Sequence, residues 1–221
     1  ETAAALEPEN PAYQSGLGTV LHSLKRYEEA LINKQRAVAL APENAGYLDS
    51  LAITLHTMKR YEEALEKSER AAEIAPENAG YHYNRGATLY ALKRYREALE
   101  PFYKAAALAP NNAGYLDSLG VALHALKRYD EALKCRRRAV ALEPNHAGYL
   151  NKLGATLHAL NRYEEAREQK QRAVALEPEN AGYLDSLAIT LHAMQRNDEA
   201  LEMFHKALAL EPGNTTYLYN L

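Results

Sequence analysis

Cysteine and tryptophan are almost missing from this chain of 221 residues, which has one cysteine and no tryptophan. Because Cys135 stands alone, there is no disulfide framework and no cysteine quartet for a metal, and we expect a reducing, cytoplasmic environment. No apolar run approaches the roughly 18 residues that span a bilayer, and the first residues do not resemble a signal peptide. The net charge of −3 favours neither nucleic acid nor a membrane surface as a partner. Since the chain begins with Glu1, we expect it to be a fragment.

What the chain has in abundance is a repeated segment of 34 residues. Prolines recur at this spacing at Pro8, Pro42, Pro76, Pro110, Pro144, Pro178 and Pro212. The tripeptide Ala-Gly-Tyr recurs in the same register, beginning at Ala45, Ala79, Ala113, Ala147 and Ala181. A fixed period of this length is typical of a solenoid, in which each unit buries its apolar face against its neighbours. Such a chain offers a surface for binding.

Each repeat is predicted to be a helical hairpin. In residues 45–78, small and apolar residues recur at helical spacing in two stretches, which are separated by a short turn at residues 58–60. Asn44 is a suitable N-cap for the first helix, and Pro76 ends the second. The six complete repeats are predicted at residues 11–44, 45–78, 79–112, 113–146, 147–180 and 181–214. The flanking segments are interpreted as the tail of a preceding repeat, residues 1–10, and the start of a further one, residues 215–221.

The pattern resembles the tetratricopeptide repeat, a helix–turn–helix unit of 34 residues. The resemblance covers nearly the whole chain and rests on small residues where helices of that family pack closely. They are Gly18, Ala52, Gly86, Gly120, Gly154 and Ala188 in the first helix, and Ala30, Ala64, Ala98, Ala132, Ala166 and Ala200 in the second. A turn tyrosine also recurs, at Tyr27, Tyr61, Tyr95, Tyr129 and Tyr163. The resemblance implies an all-α fold, a right-handed superhelical solenoid of helix–turn–helix repeats.

One position of the second helix departs from the family pattern. The aromatic residue of the family survives there as Phe102 and Phe204. Elsewhere it is replaced by Lys34, Ser68, Arg136 and Lys170. The departure does not change the expected fold.

The resemblance also implies that the first helices line a concave groove in which peptides bind. The fifth and twelfth positions of each repeat are expected to face this groove with alternating acidic and histidine side chains. The predicted peptide-binding residues are His22, Asp49, His56, Tyr83, Tyr90, Asp117, His124, Asn151, His158, Asp185 and His192.

Two interpretations of the histidines remain open. In one, they contact the ligand, and their charge responds to pH between about 6 and 7. In the other, each histidine hydrogen-bonds a neighbouring repeat and fills a packing niche. Metal binding is disfavoured because equivalent residues on stacked repeats lie roughly 8–10 Å apart, whereas the ligands of one ion lie about 2 Å from it. No metal or cofactor is expected.

Residues 79–112 form the least typical repeat, which carries His82, Tyr83, Arg85, Tyr90 and Tyr103. Aromatic and arginine side chains are frequent anchors of interfaces, so we expect this repeat to contribute specificity. The alternative is that Arg85 is a common variant of the family and lays its stem along the surface.

The sequence contains no catalytic motif, and we expect no enzymatic activity. We predict a non-enzymatic scaffold that binds a peptide segment of a partner protein in its concave groove. Asp49, Asp117 and Asp185 stand where carboxylate-clamp members of the family have lysine, so the partner is expected to be neutral or mildly basic. The asparagine ladder of the arrays attached to O-GlcNAc transferases is essentially absent. Nucleic acids and membranes are not expected partners.

Two alternative functions remain. Solenoids need polar caps, and apolar residues lie near both ends of this chain, so copies could stack head to tail into a structural scaffold. These end residues are Leu6, Tyr217, Leu218 and Leu221. In the other alternative, the repeats are the regulatory arm of a larger enzyme whose catalytic domain lies outside this sequence.

Overall fold

The computed structural model describes residues 9–216, which form α-helices joined by short turns. Within this range there are twelve helices and no strand. They are α1 (Pro11–Ser23), α2 (Tyr27–Leu40), α3 (Ala45–Thr57), α4 (Tyr61–Ile74), α5 (Ala79–Ala91), α6 (Tyr95–Leu108), α7 (Ala113–Ala125), α8 (Tyr129–Leu142), α9 (Ala147–Ala159), α10 (Tyr163–Leu176), α11 (Ala181–Ala193) and α12 (Asn197–Leu210). One hairpin lies within each of the six predicted repeats, which confirms the predicted all-α fold of helix–turn–helix repeats.

The predictions for the two ends of the chain fall largely outside the described residues. The flanking segments 1–10 and 215–221 are described only at residues 9–10 and 215–216. The apolar end residues of the head-to-tail alternative lie outside the described range altogether, namely Leu6, Tyr217, Leu218 and Leu221.

Each first helix begins at an N-cap side chain. Oδ1 of Asn44 accepts the backbone N–H of Tyr47 at 3.1 Å. In the fifth repeat a histidine replaces the asparagine: Nδ1 of His146 accepts the N–H of Tyr149 at 3.3 Å, and the two rings stack with centroids 3.8 Å apart. These bonds satisfy N–H groups that have no partner within the helix.

The turn of each hairpin is closed by one residue with a left-handed backbone. These residues are Lys25, Lys59, Lys93, Lys127, Asn161 and Gln195, with φ of 59–62°. In the first turn, the N–H of Arg26 donates to Leu21 O and the N–H of Lys25 donates to His22 O, both at 2.9 Å. This Schellman pair of bonds ends the first helix and directs the chain into the second.

The helices group into two compact units, Glu1–Pro110 and Asn111–Leu221. In the first unit, α2 packs on α3 and α4 packs on α5; in the second, α8 packs on α9 and α10 packs on α11. We call each of these contacts between successive hairpins a junction. Alanines of the second helices are completely inaccessible and let the paired helices approach closely, namely Ala30, Ala64, Ala98, Ala132 and Ala166. None of the helices in the described range is long and apolar enough to cross a bilayer.

Candidate functional site

The predicted histidines of the first unit lie at its two junctions. Nδ1 of His22 lies 3.1 Å from Oγ1 of Thr54 on the next hairpin, and Nδ1 of His56 lies 3.1 Å from Oγ1 of Thr88. Each imidazole also meets the tyrosine that begins the second helix of its own hairpin edge-on, with ring centroids 5.1 Å apart. These tyrosines are Tyr27 and Tyr61.

The second unit repeats this arrangement. Nδ1 of His124 lies 3.4 Å from Oγ1 of Thr156, and Nδ1 of His158 lies 3.2 Å from Oγ1 of Thr190. All four histidines are half-buried. The structure therefore shows each of them bonded to a neighbouring hairpin, while contact with a ligand stays a prediction.

The twelfth position of the repeat has different contacts in the third and sixth hairpins. Tyr90 takes the place of histidine in the third hairpin and packs on Tyr95, with ring centroids 5.0 Å apart. His192 is exposed, and its Nδ1 lies 3.0 Å from Oδ1 of Asn197, which replaces the turn tyrosine. No group of three or more His, Cys, Asp or Glu side chains within residues 9–216 is arranged to hold a metal ion.

The predicted acidic positions also bond to the following hairpin. Nδ2 of Asn84 donates to Oδ1 of Asp49 at 2.8 Å, and Nζ of Lys152 donates to Oδ2 of Asp117 at 2.6 Å. Burial raises the pKa of the Asp49 carboxyl, which the hydrogen bond from Asn84 and the charge of Lys34 oppose.

Three further predicted residues occupy the fifth position. Asp185 and Asn151 are half-buried, and Oδ1 of Asn151 is buried without a hydrogen-bond partner among residues 9–216. The ring of Tyr83 lies 6.0 Å from that of Phe102 on the second helix of the same hairpin.

Sequence reasoning did not identify a set of cations that are buried at the junctions. Lys34 is 3% exposed, Lys170 is 3% exposed and Arg136 is 4% exposed. Nζ of Lys34 donates to Oγ1 of Thr54 at 2.9 Å and to the carbonyl oxygen of Ser50 at 3.0 Å. The second helix of the first hairpin is thus bonded to the first helix of the second.

Lys170 makes the same pair of bonds in the second unit. Its Nζ donates to Oγ1 of Thr190 and to the carbonyl oxygen of Ser186, each at 2.7 Å. Burial lowers the pKa of both Lys34 and Lys170 to about 8, although Asp49 and Asp185 favour the charged forms.

Arg136 is the third buried cation. Its Nη1 donates to Oγ1 of Thr156 and, at 2.8 Å, to the carbonyl oxygen of Lys152. Nε of Arg136 lies 3.9 Å from Oδ1 of Asp117, so the guanidinium is placed beside a carboxylate that is itself buried.

The buried cations influence the histidines beside them. Burial lowers the pKa of four imidazoles, those of His22, His56, His124 and His158. The charges of Lys34, Arg136 and Lys170 lower the pKa of His22, His124 and His158 further. The threonine hydroxyl accepts a hydrogen bond from the cation, and its single proton lies within reach of both the neutral imidazole and the carbonyl oxygen four residues earlier.

The stem of each cation lies over a glycine of its own hairpin. A Cβ at Gly18 would lie 2.6 Å from Cγ of Lys34, and a Cβ at Gly154 would lie 2.6 Å from Cγ of Lys170. Real Cβ atoms do not approach other carbon atoms this closely, so the buried stem requires glycine at this position.

The junction between α4 and α5 lacks the buried cation. Ser68 stands here one repeat after Lys34, and its hydroxyl donates to the carbonyl oxygen of Leu65 at 3.0 Å. The first helix of this hairpin has Ala52 where the hairpins that carry a buried cation have glycine.

A cavity of about 210 Å³ lies between the first helices of these two hairpins, α3 and α5. It is lined by Ala52, Ile53, His56, Thr57, Tyr83, Asn84, Ala87 and Thr88, and we call it the Ser68 cavity. Two of the predicted groove residues, His56 and Tyr83, are brought together in its wall. Ser68 and Thr88 were not predicted, and the only signal for them in the sequence is their register relative to Lys34 and Thr54.

Sequence models of the tetratricopeptide repeat match most of the chain. One matches residues 9–77 and 111–179, and two others match residues 50–113 and residues 181–210. No significant match is found among curated protein sequences.

Solved structures of repeat proteins are similar to this chain over most of its length. YrrB, a tetratricopeptide repeat protein with an unusual peptide-binding site, has 25% identity and a TM-score of 0.69 over 84% of this chain and 96% of its own. PilF of Pseudomonas aeruginosa has 22% identity and a TM-score of 0.80 over 95% of both chains. MamA of Desulfovibrio magneticus RS-1, from residue 41 onward, has 26% identity and a TM-score of 0.72 over 77% of this chain and 96% of its own.

Proposed function

The chain belongs to the tetratricopeptide repeat family, and we propose that it is a non-enzymatic scaffold that binds a peptide segment of a partner protein in the groove of its first helices. Repeats of this family generally serve as protein–protein interaction scaffolds. The observation that carries the proposal is the Ser68 cavity, which lies in the predicted groove and has His56 and Tyr83 in its wall.

The lining of the cavity suits a peptide side chain. Ligand sites are concave and mostly apolar, with a few polar groups that fix orientation. Ala52, Ile53 and Ala87 provide apolar wall, while Asn84 and Thr88 provide polar groups. The volume is that of one large side chain, so the cavity accommodates an anchor residue of an extended peptide and not a whole cofactor.

The charges around the groove favour a partner that is neutral or mildly basic. Asp49 and Asp117 already accept hydrogen bonds from Asn84 and Lys152, which leaves only a modest attraction for cations. An acidic peptide would be repelled by these carboxylates. YrrB supports the general mode of binding, because it is a relative with a peptide-binding site and 25% identity to this chain.

Peptide selection with a matched pair of variants tests the proposal. A random peptide display library is selected against the chain, and the enriched peptides are measured against Ala87→Ile and Ala155→Ile. Both positions are the ninth of a repeat, where Ile53 and Ile189 occur naturally, so both variants are expected to fold. Only Ala87→Ile narrows the Ser68 cavity.

We expect the enriched peptides to lose binding to Ala87→Ile and to keep it with Ala155→Ile. A library that yields no enriched peptide, or peptides that bind both variants equally, would contradict the proposal. Sedimentation of the unliganded chain at several concentrations tests the alternative of end-to-end assembly in the same preparation.

A further inference from the structure

The Ser68 cavity is the equivalent of a site that the chain fills with its own lysine one repeat earlier. Lys34 lies over Gly18 and donates to the carbonyl oxygen of Ser50 and to Oγ1 of Thr54. The residues 34 positions later are Ala52, Asn84 and Thr88, and all three line the cavity. In the first hairpin the equivalent place is filled by the long side chain of Lys34, whereas Ser68 has only a short hydroxymethyl group.

The hydrogen bonds of Lys34 recur at the other buried cations and show how a cation is bound at this repeat position. Lys170 makes its two bonds to the same two repeat positions as Lys34, over Gly154. Arg136 again bonds one carbonyl oxygen and one threonine hydroxyl at these positions. The first helix of the receiving hairpin therefore presents a carbonyl oxygen and a hydroxyl that together accept a cation.

The corresponding acceptors in the Ser68 cavity receive no cation from residues 9–216. The hydroxyl of Thr88 donates to the carbonyl oxygen of Asn84 at 2.8 Å and lies 3.1 Å from Nδ1 of His56. No lysine or arginine among residues 9–216 donates to Thr88. When the single hydroxyl proton of Thr88 turns to Nδ1 of a neutral His56, the hydroxyl oxygen keeps its lone pairs, and the carbonyl oxygen of Asn84 keeps the one that its helical hydrogen bond does not use.

We propose that the Ser68 cavity binds the side chain of a lysine in the partner peptide, with its ammonium group on Oγ1 of Thr88 and the carbonyl oxygen of Asn84. The methylene stem of the peptide lysine lies against Ala52, Ile53 and Ala87. Ala52 stands at the repeat position of Gly18, over which Lys34 lies in the first hairpin. The inference rests on the proposed function and names the anchor residue of its peptide.

The surrounding charge favours lysine over an acidic or a purely apolar anchor. Asn84, which lines the cavity, is hydrogen-bonded to Asp49, so a carboxylate lies next to the polar end. An apolar anchor would fill the volume but would leave both acceptors without the additional donor.

A variant with a blocked cavity can be designed after the junctions of Lys34 and Lys170. Ser68→Lys places in the cavity the side chain that Lys34 and Lys170 place at their junctions. Because those lysines require glycine beneath the stem, Ser68→Lys is combined with Ala52→Gly. Ala52→Gly alone is the control, since it leaves the cavity open. Thermal unfolding followed by circular dichroism establishes that both variants are folded.

The experiment uses the peptides enriched from the random library, each remade with lysine replaced by norleucine. We expect the enriched peptides to share a lysine, and its replacement by norleucine to weaken binding roughly tenfold or more, because a charge-assisted hydrogen bond is lost. Binding should be lost in Ala52→Gly/Ser68→Lys and kept in Ala52→Gly. Thr88→Val, which keeps the shape and removes the hydroxyl, should weaken the lysine peptide but not the norleucine peptide.

Two results would overturn the inference while leaving the proposed function intact. In the first, peptides bind the cavity and are blocked by Ala52→Gly/Ser68→Lys, but their anchor is apolar or norleucine binds as well as lysine. In the second, peptides are lost with Ala87→Ile but bind the blocked variant unchanged. Absence of any enriched peptide would instead overturn the proposed function, and the inference with it.

Discussion

The two junctions of the first unit have the same backbone arrangement and different interiors. At the junction of α2 with α3, Lys34 reaches across Gly18 and bonds Thr54, so the space is filled from within. At the junction of α4 with α5, Ser68 bonds within its own helix, and a cavity of about 210 Å³ lies between the first helices α3 and α5 of the two hairpins. The two junctions thus differ in one side chain of the second helix, a buried lysine or a serine, without any change in the fold.

The comparison also shows how a polar interior is kept stable. The cation, the threonine hydroxyl and the histidine form one hydrogen-bonded chain at the junctions of Lys34 and Lys170. Burial without such partners would cost several kcal/mol per charge. At the junction of Ser68 only the threonine and the histidine of this set are present. No lysine or arginine among residues 9–216 donates to the threonine, Thr88.

Removal of a buried lysine stem is expected to have the largest effect. Lys34→Ala should lower the free energy of unfolding by about 2–3 kcal/mol, because it leaves a cavity and removes two hydrogen bonds. Lys34→Met, which keeps the volume and removes the charge, should change it by less than about 1 kcal/mol. Urea unfolding of both variants measures the difference. Equal losses in the two variants would show that charge and not packing holds this junction.

Substitution of the glycine beneath a buried lysine stem should have the next largest effect on the free energy of unfolding. Gly154→Ala places a Cβ 2.6 Å from Cγ of Lys170 and 3.1 Å from the carbonyl oxygen of Ala166, and should cost about 1–3 kcal/mol through overpacking. Gly16→Ala is the control, because nothing lies within 4 Å of its added Cβ and helix propensity predicts a gain of about 0.5–1 kcal/mol. Urea midpoints that move in the same direction for both variants would contradict the packing account.

The buried ammonium groups should make stability depend on pH. The pKa of Lys34 and of Lys170 is about 8 in the folded chain, whereas an unfolded lysine has a pKa of about 10.4. Between these values the unfolded chain binds more protons, so the free energy of unfolding should rise with pH, by on the order of 1 kcal/mol from pH 8 to 9.5.

The double variant Lys34→Met/Lys170→Met is the control for this pH dependence and should lose the rise. Tyr81 and Tyr183 have a raised pKa because they are partly buried, so they act in the opposite sense only when tyrosine begins to ionise, near pH 10 and above. Urea unfolding at pH 7, 8 and 9.5 measures the slope. A slope that is equal in both proteins would exclude the lysines as its cause.

The smallest predicted effect separates the histidines of the two junctions. The charge of Lys34 contributes to the lowered pKa of His22, whereas burial alone lowers that of His56. Lys34→Met should therefore raise the pKa of His22 and leave that of His56 unchanged, as followed by the Cε1 proton shifts in an NMR titration. For both histidines the lowered pKa means that stability falls as the pH drops below about 6.5. A shift of both residues, or of neither, would contradict the assignment.

Much of the fold could be predicted from the sequence because each hairpin is specified locally. The N-cap at Asn44 and the turn before Tyr61 occupy fixed places in the 34-residue period, and the structure has a helix beginning directly after Asn44 and another at Tyr61. The fifth and twelfth positions were also predicted as a set, and the structure places His56 and Tyr83 in one cavity. Their role in binding a peptide stays a prediction.

The bonds between hairpins were only partly predictable: one interpretation had each histidine bond a neighbouring repeat, but neither the partner threonine nor the buried cation was identified. Whether Lys34 meets Thr54, 20 residues later, depends on the rotation of one hairpin against the next, which local propensity does not determine. Replacement of the family's aromatic residue by lysine was visible in the sequence, but not the fact that the lysine is buried. The spacing of 32 residues between His22 and Thr54, which recurs between His56 and Thr88, is the signal that could have identified threonine as the partner of the histidines.

A lysine site in the Ser68 cavity is tested most directly by an NMR titration of the methyl-labelled chain with Nα-acetyl-lysine methylamide and with its norleucine counterpart. We expect saturable shifts, larger for lysine than for norleucine, at the methyl groups that line the Ser68 cavity. These methyl groups belong to Ala52, Ile53, Ala87 and Thr88. The shifts should vanish in Ala52→Gly/Ser68→Lys. Equal shifts with both compounds, or shifts centred on Ala155 and Thr156 in the second unit, would contradict it.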